Sequence, residues 1–197
     1  MKLSGAQLAG GNSATEKAEN DFYATDPKTV ELFLTKAFED GVFDLPQGSI
    51  WEPACGTGNI SKVLAHWFPL CDRRATDLVD RGYGKGGVDF LTAAHRADLI
   101  ITNPPFSLMN DFILKGLWQA DKYLVLLGKI QTLETVERVN ILKHTPLKFV
   151  YVYSKRQATW KNGEPRDPKG KPWATTMCLA WFVWEIGWQG EPVIRWI

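Results

Sequence analysis

The stretch "ITNPPF" at residues 101 to 106 joins a buried-strand pattern to groups that could act on a substrate. Two consecutive prolines stiffen the chain, because each ring holds φ at about −65° and Pro105 keeps Pro104 extended. The carbonyl groups of Asn103 and Pro104 are thereby fixed beside the Asn103 amide, with the ring of Phe106 next to them. The stretch predicts a rigid set of hydrogen-bond acceptors with an aromatic face. An isolated stretch of this kind is also typical of a stiff loop that caps a strand.

A second stretch, "WEPACGTGNI" at residues 51 to 60, places two glycines between a predicted strand and a predicted helix. Gly56 and Gly58 let the backbone approach a ligand and expose main-chain N–H groups at the start of the helix. The stretch lacks the third glycine of the dinucleotide fingerprint and the Lys-Ser/Thr pair of a phosphate loop. We therefore expect a ligand other than a nicotinamide cofactor or a nucleoside triphosphate.

Acidic residues follow the next two apolar runs. Asp77 in "ATDL" lies about 20 residues after the glycines, where α/β folds place a carboxylate that binds ribose hydroxyls. Asp89 in "VDFL" could accept a hydrogen bond from an adenine amino group, with Phe90 as an apolar wall beside it. Each carboxylate alone is typical of a solvated loop end. Their succession at predicted strand ends favours one ligand at the carboxyl edge of one sheet.

The elements that must position these residues alternate between strand-like and helical patterns, which predicts a mostly parallel sheet with helices on both faces. The first helical pattern has Thr25 or Asp26 as its cap, Pro27 in its first turn and Gly41 at its end. Three further helical patterns are "NISKVLAHWF", "LMNDFILKGLWQA" and "TLETVERVNILKH". The strand-like runs are "SIWEP", "RRATDL", "GVDFL", "DLIITN", "YLVLLGKI" and "LKFVYVYS".

Two strand patterns near the C-terminus, "LKFVYVYS" and "ATTMCLAWFVWEI", follow each other without a helix between them. Such strands should pair as a hairpin, which places one antiparallel strand in the sheet. A short terminal run, "VIRWI", follows. Residues 1 to 20 are small and polar without a sustained period, so we expect them to be disordered. Residues 21 to 197 should form a single domain.

Composition places the chain among globular proteins, with 197 residues, 45% hydrophobic and 23% charged residues and a formal net charge of +1. No apolar run approaches the roughly 20 residues that cross a bilayer, and no signal-peptide pattern is present. The three cysteines lack metal-ligand spacing. These features predict a reduced, cytoplasmic protein with no membrane association and no metal.

A basic segment at residues 154 to 173 lies between the two C-terminal strand patterns. Its Lys and Arg residues outnumber Asp and Glu, and Trp160 and Trp173 are interleaved with them. Such a segment is often only a solvated hairpin, but this combination also suits contact with nucleic acid. The candidate DNA-binding residues are Lys155, Arg156, Trp160, Lys161, Arg166, Lys169 and Lys171.

The order of "DFYATDP", "WEPACGTG", "TDL", "DF" and "NPPF" resembles that of the S-adenosylmethionine-dependent DNA amino-methyltransferases, in particular compact phage-type adenine-N6 enzymes. The resemblance implies a Rossmann-like class I methyltransferase fold, a mostly parallel seven-stranded sheet with one antiparallel strand near the C-terminus. It implies S-adenosylmethionine as cofactor and DNA as substrate. The expected reaction is methylation of the adenine N6 amine after base flipping, with loose or short sequence specificity and no separate recognition domain.

The resemblance also assigns roles to individual residues. The side-chain oxygen of Asn103 and the carbonyl of Pro104 would hold the two N6 hydrogens, and Phe106 would stack on the flipped base. Asp77 would bind the ribose, and Asp89 with Phe90 the adenine ring. The remaining residues implied for the cofactor are Phe22, Tyr23 and Thr25 at its methionine part, and Glu52, Ala54, Cys55, Gly56 and Gly58 in its cradle. The implied acceptor site is Asn103, Pro104, Pro105 and Phe106, and Asn103 also belongs to the cofactor set.

Two other interpretations remain open. The same "NPPF" chemistry would serve a guanine N2 amine in RNA or a glutamine amide in a protein. Alternatively, the chain is a non-catalytic nucleic-acid-binding protein that keeps the cofactor fold. The sequence leaves the target site open, and it does not distinguish a monomer from a dimer.

Overall fold

The computed structural model describes residues 22–173 and 177–197, so the disorder predicted for residues 1 to 20 lies outside the described residues. The helices are α1 (Pro27–Glu39), α2 (Asn59–Trp67), α3 (Met109–Gln119) and α4 (Val136–Lys143), with short 3₁₀ turns at Phe106–Leu108 and Ile130–Leu133. The strands are β1 (Tyr23–Thr25), β2 (Ser49–Glu52), β3 (Asp72–Ala75), β4 (Ala97–Thr102), β5 (Ala120–Lys129), β6 (Leu147–Val152), β7 (Thr159–Lys161), β8 (Leu179–Glu185) and β9 (Val193–Trp196).

Seven strands form the central sheet, in the order β3-β2-β4-β5-β8-β6-β9. Strand β8 runs antiparallel to both of its neighbours, and the other pairs are parallel. The predicted hairpin of β6 with β8 and the mostly parallel sheet are therefore confirmed. Strands β1 and β7 form a separate antiparallel pair, which joins the start of the described chain to the basic segment.

The first helix begins and ends as its sequence predicts. The Asp26 side chain accepts a hydrogen bond from the Lys28 N–H at 2.9 Å, Pro27 lies in the first turn, and Gly41 follows the helix with φ of 65°. Its buried face includes Phe33, whose ring stacks on Trp181 of β8 with 4.7 Å between ring centroids. This contact fixes α1, and with it the adjoining β1, against the sheet.

The two faces of the sheet bury separate apolar clusters, because successive strand residues point to opposite sides. On one side, α1 and α2 cover residues such as Ile50, Leu99 and Trp181. On the other, α3 packs over residues such as Ile100 and Trp184. The predicted helices on both faces are present. No helix among residues 22–173 and 177–197 is long and apolar enough to span a membrane.

The run "GVDFL" was expected to be a strand, and this expectation is wrong. Residues 76–96 are irregular, with only an isolated bridge between Thr76 and Lys85. Gly84 and Gly87 have φ of 67° and 71°, which do not continue an extended strand. Phe90 turns onto Trp51 instead, with ring centroids 5.2 Å apart. The side chains near Asp89 therefore reach the sheet edge from a loop rather than from a strand end.

Candidate active site

A cleft lies at the carboxyl ends of β2 and β4, where the loops after these strands meet β1 and the loop after β3. In open α/β sheets this edge is the usual place for a ligand. All of the predicted cofactor and acceptor residues line the cleft except Gly56 and Gly58. Those that line it are Phe22, Tyr23, Thr25, Glu52, Ala54, Cys55, Asp77, Asp89, Phe90, Asn103, Pro104, Pro105 and Phe106.

Asp77 holds the glycine loop in place. One carboxylate oxygen accepts a hydrogen bond from the Gly56 N–H at 2.7 Å, and the other accepts one from the Val79 N–H at 2.9 Å. A carboxylate offers about four acceptor positions, so both oxygens can still accept bonds from a ligand. Asp89 is anchored in a similar way by the Leu91 N–H at 2.9 Å. Both carboxylates are thus positioned by their own loops.

The two glycines are required by aromatic side chains of the protein itself. A Cβ atom added to Gly56 would lie 2.4 Å from the Phe22 ring, and one added to Gly58 would lie 2.4 Å from the Tyr83 ring. Both glycines also have positive φ. The sequence interpretation, that glycine allows a ligand to approach, is therefore incomplete. Residues 80–87 pack against the glycine loop through Tyr83.

Glu52 is the most deeply buried carboxyl group of the cleft, with 1% of its surface exposed. Burial raises the pKa of Glu52 from its ordinary 4.5 to about 8, and the nearby Asp77 charge adds to the rise. A hydrogen bond from the Ser61 hydroxyl partly opposes it. Glu52 is therefore protonated at neutral pH unless a cation lies next to it.

Cys55 is not equipped to act as a nucleophile. Its side chain is buried, and burial, with the nearby Glu52 and Asp77, raises the pKa of the thiol to about 12. The thiolate form that attacks electrophiles is therefore scarce at neutral pH. The described residues also contain no group of three His, Cys, Asp or Glu side chains that could hold a metal ion.

The Asn103 amide is the best-defined polar group of the cleft. Its Nδ2 donates to the Tyr23 carbonyl oxygen at 3.0 Å and to the Thr25 hydroxyl at 3.1 Å. Because a carbonyl oxygen only accepts hydrogen bonds, this contact fixes which end of the amide faces β1. The Oδ1 atom is buried and accepts no hydrogen bond from residues 22–173 or 177–197. Asn103 therefore holds one unpaired acceptor at the cleft.

The two prolines and Phe106 complete this end of the cleft. The Pro105 carbonyl accepts a hydrogen bond from the Leu108 N–H at 2.9 Å, which closes the 3₁₀ turn. The Pro104 carbonyl, in contrast, accepts no hydrogen bond within the described parts of the chain. Phe106 is half-buried, and the Lys129 ammonium lies 5.1 Å from the centre of its ring.

The basic segment lies near the cleft without lining it. Strand β7 pairs with β1, with Lys161 opposite Tyr23, and the Asn162 N–H donates to the Phe22 carbonyl at 3.1 Å. Its tip is an ordered hairpin in which the Asp167 carboxylate accepts hydrogen bonds from two main-chain N–H groups. The candidate DNA-binding residues belong to this segment, and none of them is among the described residues that line the cleft: Lys155, Arg156, Trp160, Lys161, Arg166, Lys169 and Lys171.

Several residues of the cleft wall were not found from the sequence. Arg81 is the most polar of them, and its signal was its place in "DRGYGKGG", close behind Asp77. Asn59 donates from its side chain to the Thr25 carbonyl at 2.9 Å and so ties α2 to β1. The other such residues are apolar, and only the three-dimensional arrangement identifies them: Ala24, Pro53, Ile60, Leu78, Val79, Val88, Leu91, Leu108 and Phe112.

Glu52 gives a pH-dependent prediction. Its folded-state pKa is above its unfolded value, so the stability contributed by the protonated carboxyl is present below about pH 4.5 and is lost as the pH rises through about 8. Relative to Glu52→Gln, the unfolding free energy of the unaltered protein should fall by about 1.4 kcal/mol per pH unit within this window. Urea unfolding of both proteins, compared across the window, measures this slope. A pH-independent difference in unfolding free energy between Glu52→Gln and the unaltered protein would contradict the assignment.

Comparisons with solved structures identify the fold. A Listeria monocytogenes protein described as a class I S-adenosylmethionine-dependent methyltransferase matches with a TM-score of 0.61 and 14% identity, covering 88% of this chain and 65% of that one. A Pyrococcus horikoshii protein described as an RNA methyltransferase matches with a TM-score of 0.61 and 16% identity, covering 91% and 96%. Magnesium protoporphyrin IX methyltransferase of Synechocystis PCC 6803, solved with bound SAH, matches with a TM-score of 0.54 and 14% identity, covering 81% and 82%.

No protein-family model matches the chain, and no match was found among curated proteins. At the identities above, the structural likeness shows the fold alone, and the chain spans 65% of the length of the Listeria protein. The resemblance to adenine-N6 enzymes therefore stays a prediction. The chain has the Rossmann-like class I methyltransferase fold, with a mostly parallel seven-stranded sheet and an antiparallel strand near its C-terminus.

Proposed function

We propose that the cleft binds S-adenosylmethionine as a methyl donor. The fold supports this, and the residues present fit the group. Asp77 keeps free acceptor positions for ribose hydroxyls after anchoring the glycine loop, and Phe90 offers an aromatic wall beside Asp89. When bound, S-adenosylmethionine supplies a methyl group that its sulfonium makes electrophilic. The carboxyl groups of Glu52, Asp77 and Asp89 suit a ligand of positive charge.

We further propose that the methyl acceptor is an exocyclic amine of a nucleobase. The observation that carries this proposal is the buried and unpaired Oδ1 of Asn103 beside the Pro104 carbonyl. Two fixed acceptors that receive no hydrogen bond from the described residues suit a group that presents two hydrogens from one nitrogen. An unpaired acceptor costs about 1–3 kcal/mol when buried, and an amine would remove that cost.

These acceptors would also assist the chemical step. The lone pair of an aromatic amine is delocalised into its ring, so the nitrogen is a weak nucleophile. Acceptors at Asn103 and Pro104 hold both hydrogens, favour a pyramidal nitrogen and stabilise the positive charge that grows during attack. Because Asn103 is already held by β1 through its Nδ2, little reorganisation is needed when the substrate binds.

We propose adenine in DNA as the substrate, with N6 as the methylated atom. A base inside a duplex must be flipped out before its amine can reach a buried acceptor, and Phe106 in the lining of the cleft supplies a stacking surface for it. The basic segment, called the basic hairpin from here on, supports a nucleic-acid partner, because its strand β7 pairs directly with β1 at the cleft. The DNA sequence that the protein recognises would then be short or loosely defined, since the proposed contacts come from one hairpin.

The test is a methyl-transfer assay with methyl-labelled S-adenosylmethionine on unmethylated DNA and on RNA, followed by nucleoside mass spectrometry. We expect N6-methyladenine in DNA. Labelled N2-methylguanine in RNA would show that the substrate is RNA rather than DNA, and it would leave the proposed methylation of an exocyclic amine in place. A protein that binds the cofactor in calorimetry and labels neither nucleic acid nor protein glutamine would be a binding protein, which would contradict the proposed reaction.

Asn103→Ala should slow methylation by about a hundred- to thousandfold, the usual effect of losing one preorganised polar contact at a reacting atom. Single-turnover rates at saturating cofactor and DNA measure this loss. Thr25→Val is the matched control, because it removes one bond to Asn103 Nδ2 but leaves Oδ1 in place. Asn103→Asp keeps an acceptor and should retain more activity than Asn103→Ala. If Thr25→Val were as slow as Asn103→Ala, the role of Asn103 would be to fix β1 rather than to bind the amine.

The hairpin gives a separate prediction about nucleic-acid binding. Lys169 and Lys171 are exposed near its tip, and replacing both with Gln should weaken DNA binding. Each lost phosphate contact lowers the slope of log affinity against log salt by about 0.9. The control is Lys122→Gln with Lys143→Gln, an equal charge change at exposed positions where β5 begins and α4 ends. An equal change of slope in both variants would show that the hairpin has no special role.

A further inference from the structure

Arg81 has an unusual environment in the wall of the cleft. Its guanidinium carbon lies 4.0 Å from the centre of the Phe22 ring, and this cation–π contact is its one interaction with the described residues. Among residues 22–173 and 177–197, its buried Nε atom has no hydrogen-bond partner, and no carboxylate lies within ion-pair distance of Arg81. A buried donor of a charged group without an acceptor is costly. The position therefore indicates an anion supplied by a ligand.

The charge of the cleft points to the same conclusion. Glu52, Asp77 and Asp89 all line it, whereas Arg81 is the one basic residue among the described residues of the lining. Arg81 nevertheless pairs with none of these three carboxyl groups. Its role is thus not to neutralise the acidic groups of the protein, and its donors remain available to a ligand.

Phe22 fixes the direction of this guanidinium. The edge of its ring is packed so closely on Gly56 that an added Cβ would lie 2.4 Å away. The ring also lies beside Gly163 of the basic hairpin, where an added Cβ would be 3.2 Å away. A ring held on two sides provides a rigid platform, and a guanidinium stacked on it keeps its planar set of donors in one orientation.

We propose that Arg81 binds the carboxylate of the amino-acid part of S-adenosylmethionine, an inference that rests on the function proposed above. Of the charged groups of that molecule, the carboxylate is the only anion, while the sulfonium and the ammonium suit the acidic residues. A planar carboxylate matches the fork of a guanidinium and accepts two parallel hydrogen bonds from it. Arg81 lies beside Phe22, which the resemblance to amino-methyltransferases places at the methionine part of the cofactor.

The experiment is isothermal titration with S-adenosylmethionine and with decarboxylated S-adenosylmethionine, which differ only in the carboxylate. In the unaltered protein, S-adenosylmethionine should bind more tightly. Arg81→Gln should weaken its binding by about ten- to hundredfold, as expected for loss of a charge-assisted contact, and should leave the decarboxylated ligand unaffected. Arg81→Lys should give an intermediate loss, since it keeps the charge without the fork. Arg74→Gln, at an exposed position outside the cleft, should bind both ligands normally.

Three results would overturn the inference. Equal weakening of both ligands would mean that Arg81 maintains the shape of the cleft. Unchanged binding of both ligands with weaker DNA binding would assign Arg81 to a nucleic-acid phosphate instead. Failure of the unaltered protein to bind either ligand would remove the proposed cofactor together with this inference. Normal cofactor binding with failed methyl transfer would contradict only the proposed reaction, so the two claims are tested separately.

Discussion

The pair of hydrogen bonds from Asn103 Nδ2 to β1 is the constraint on which the cleft depends. These bonds join the end of a central strand to a short strand that lies outside the main sheet. They also decide the orientation of the amide, so its oxygen is directed away from β1 and has no partner in the described structure. Because β1 is paired with β7, the same contact sets the position of the basic hairpin relative to the acceptor. The Asn103 side chain thus links the proposed methylation site with the basic hairpin that is proposed to bind the substrate.

The cleft combines carboxyl groups that have hydrogen-bond partners with two polar atoms that have none in the described residues. Asp77 and Asp89 are held by main-chain N–H groups, and Glu52 is buried with a raised pKa of about 8. Asn103 Oδ1 and Arg81 Nε, in contrast, are buried without hydrogen-bond partners in the described part of the chain. Buried polar groups in proteins are usually paired, so such exceptions indicate positions that a ligand completes. The acceptor and the donor suit different groups, an amine for Asn103 and an anion for Arg81.

The fold and the cleft residues Asp77, Asp89 and Asn103 could be predicted from the sequence because their signals were local. The resemblance to amino-methyltransferases, and no local signal, implied the remaining residues, namely Phe22, Tyr23, Thr25, Glu52, Ala54 and Cys55. Asp26 and Pro27 define the start of α1, and the absence of a helix before β8 required an antiparallel strand. The "GVDFL" run misled because its apolar residues suggest a strand, whereas the glycines before it have positive φ and turn Phe90 inward. The stacking of Arg81 on Phe22 and the aromatic contacts at Gly56 and Gly58 join residues that are distant in sequence, so no local pattern could reveal these contacts.

The central claim is that Asn103 Oδ1 accepts a hydrogen bond from the amine that is methylated. It is tested most directly by a crystal structure of the protein with S-adenosylhomocysteine and a DNA duplex that contains one target adenine. The account predicts a flipped adenine whose N6 lies about 2.7–3.2 Å from Asn103 Oδ1, with Asn103 Nδ2 still bonded to β1. An adenine bound with its N6 away from Asn103, or an Asn103 oxygen paired with a donor of the protein, would contradict it.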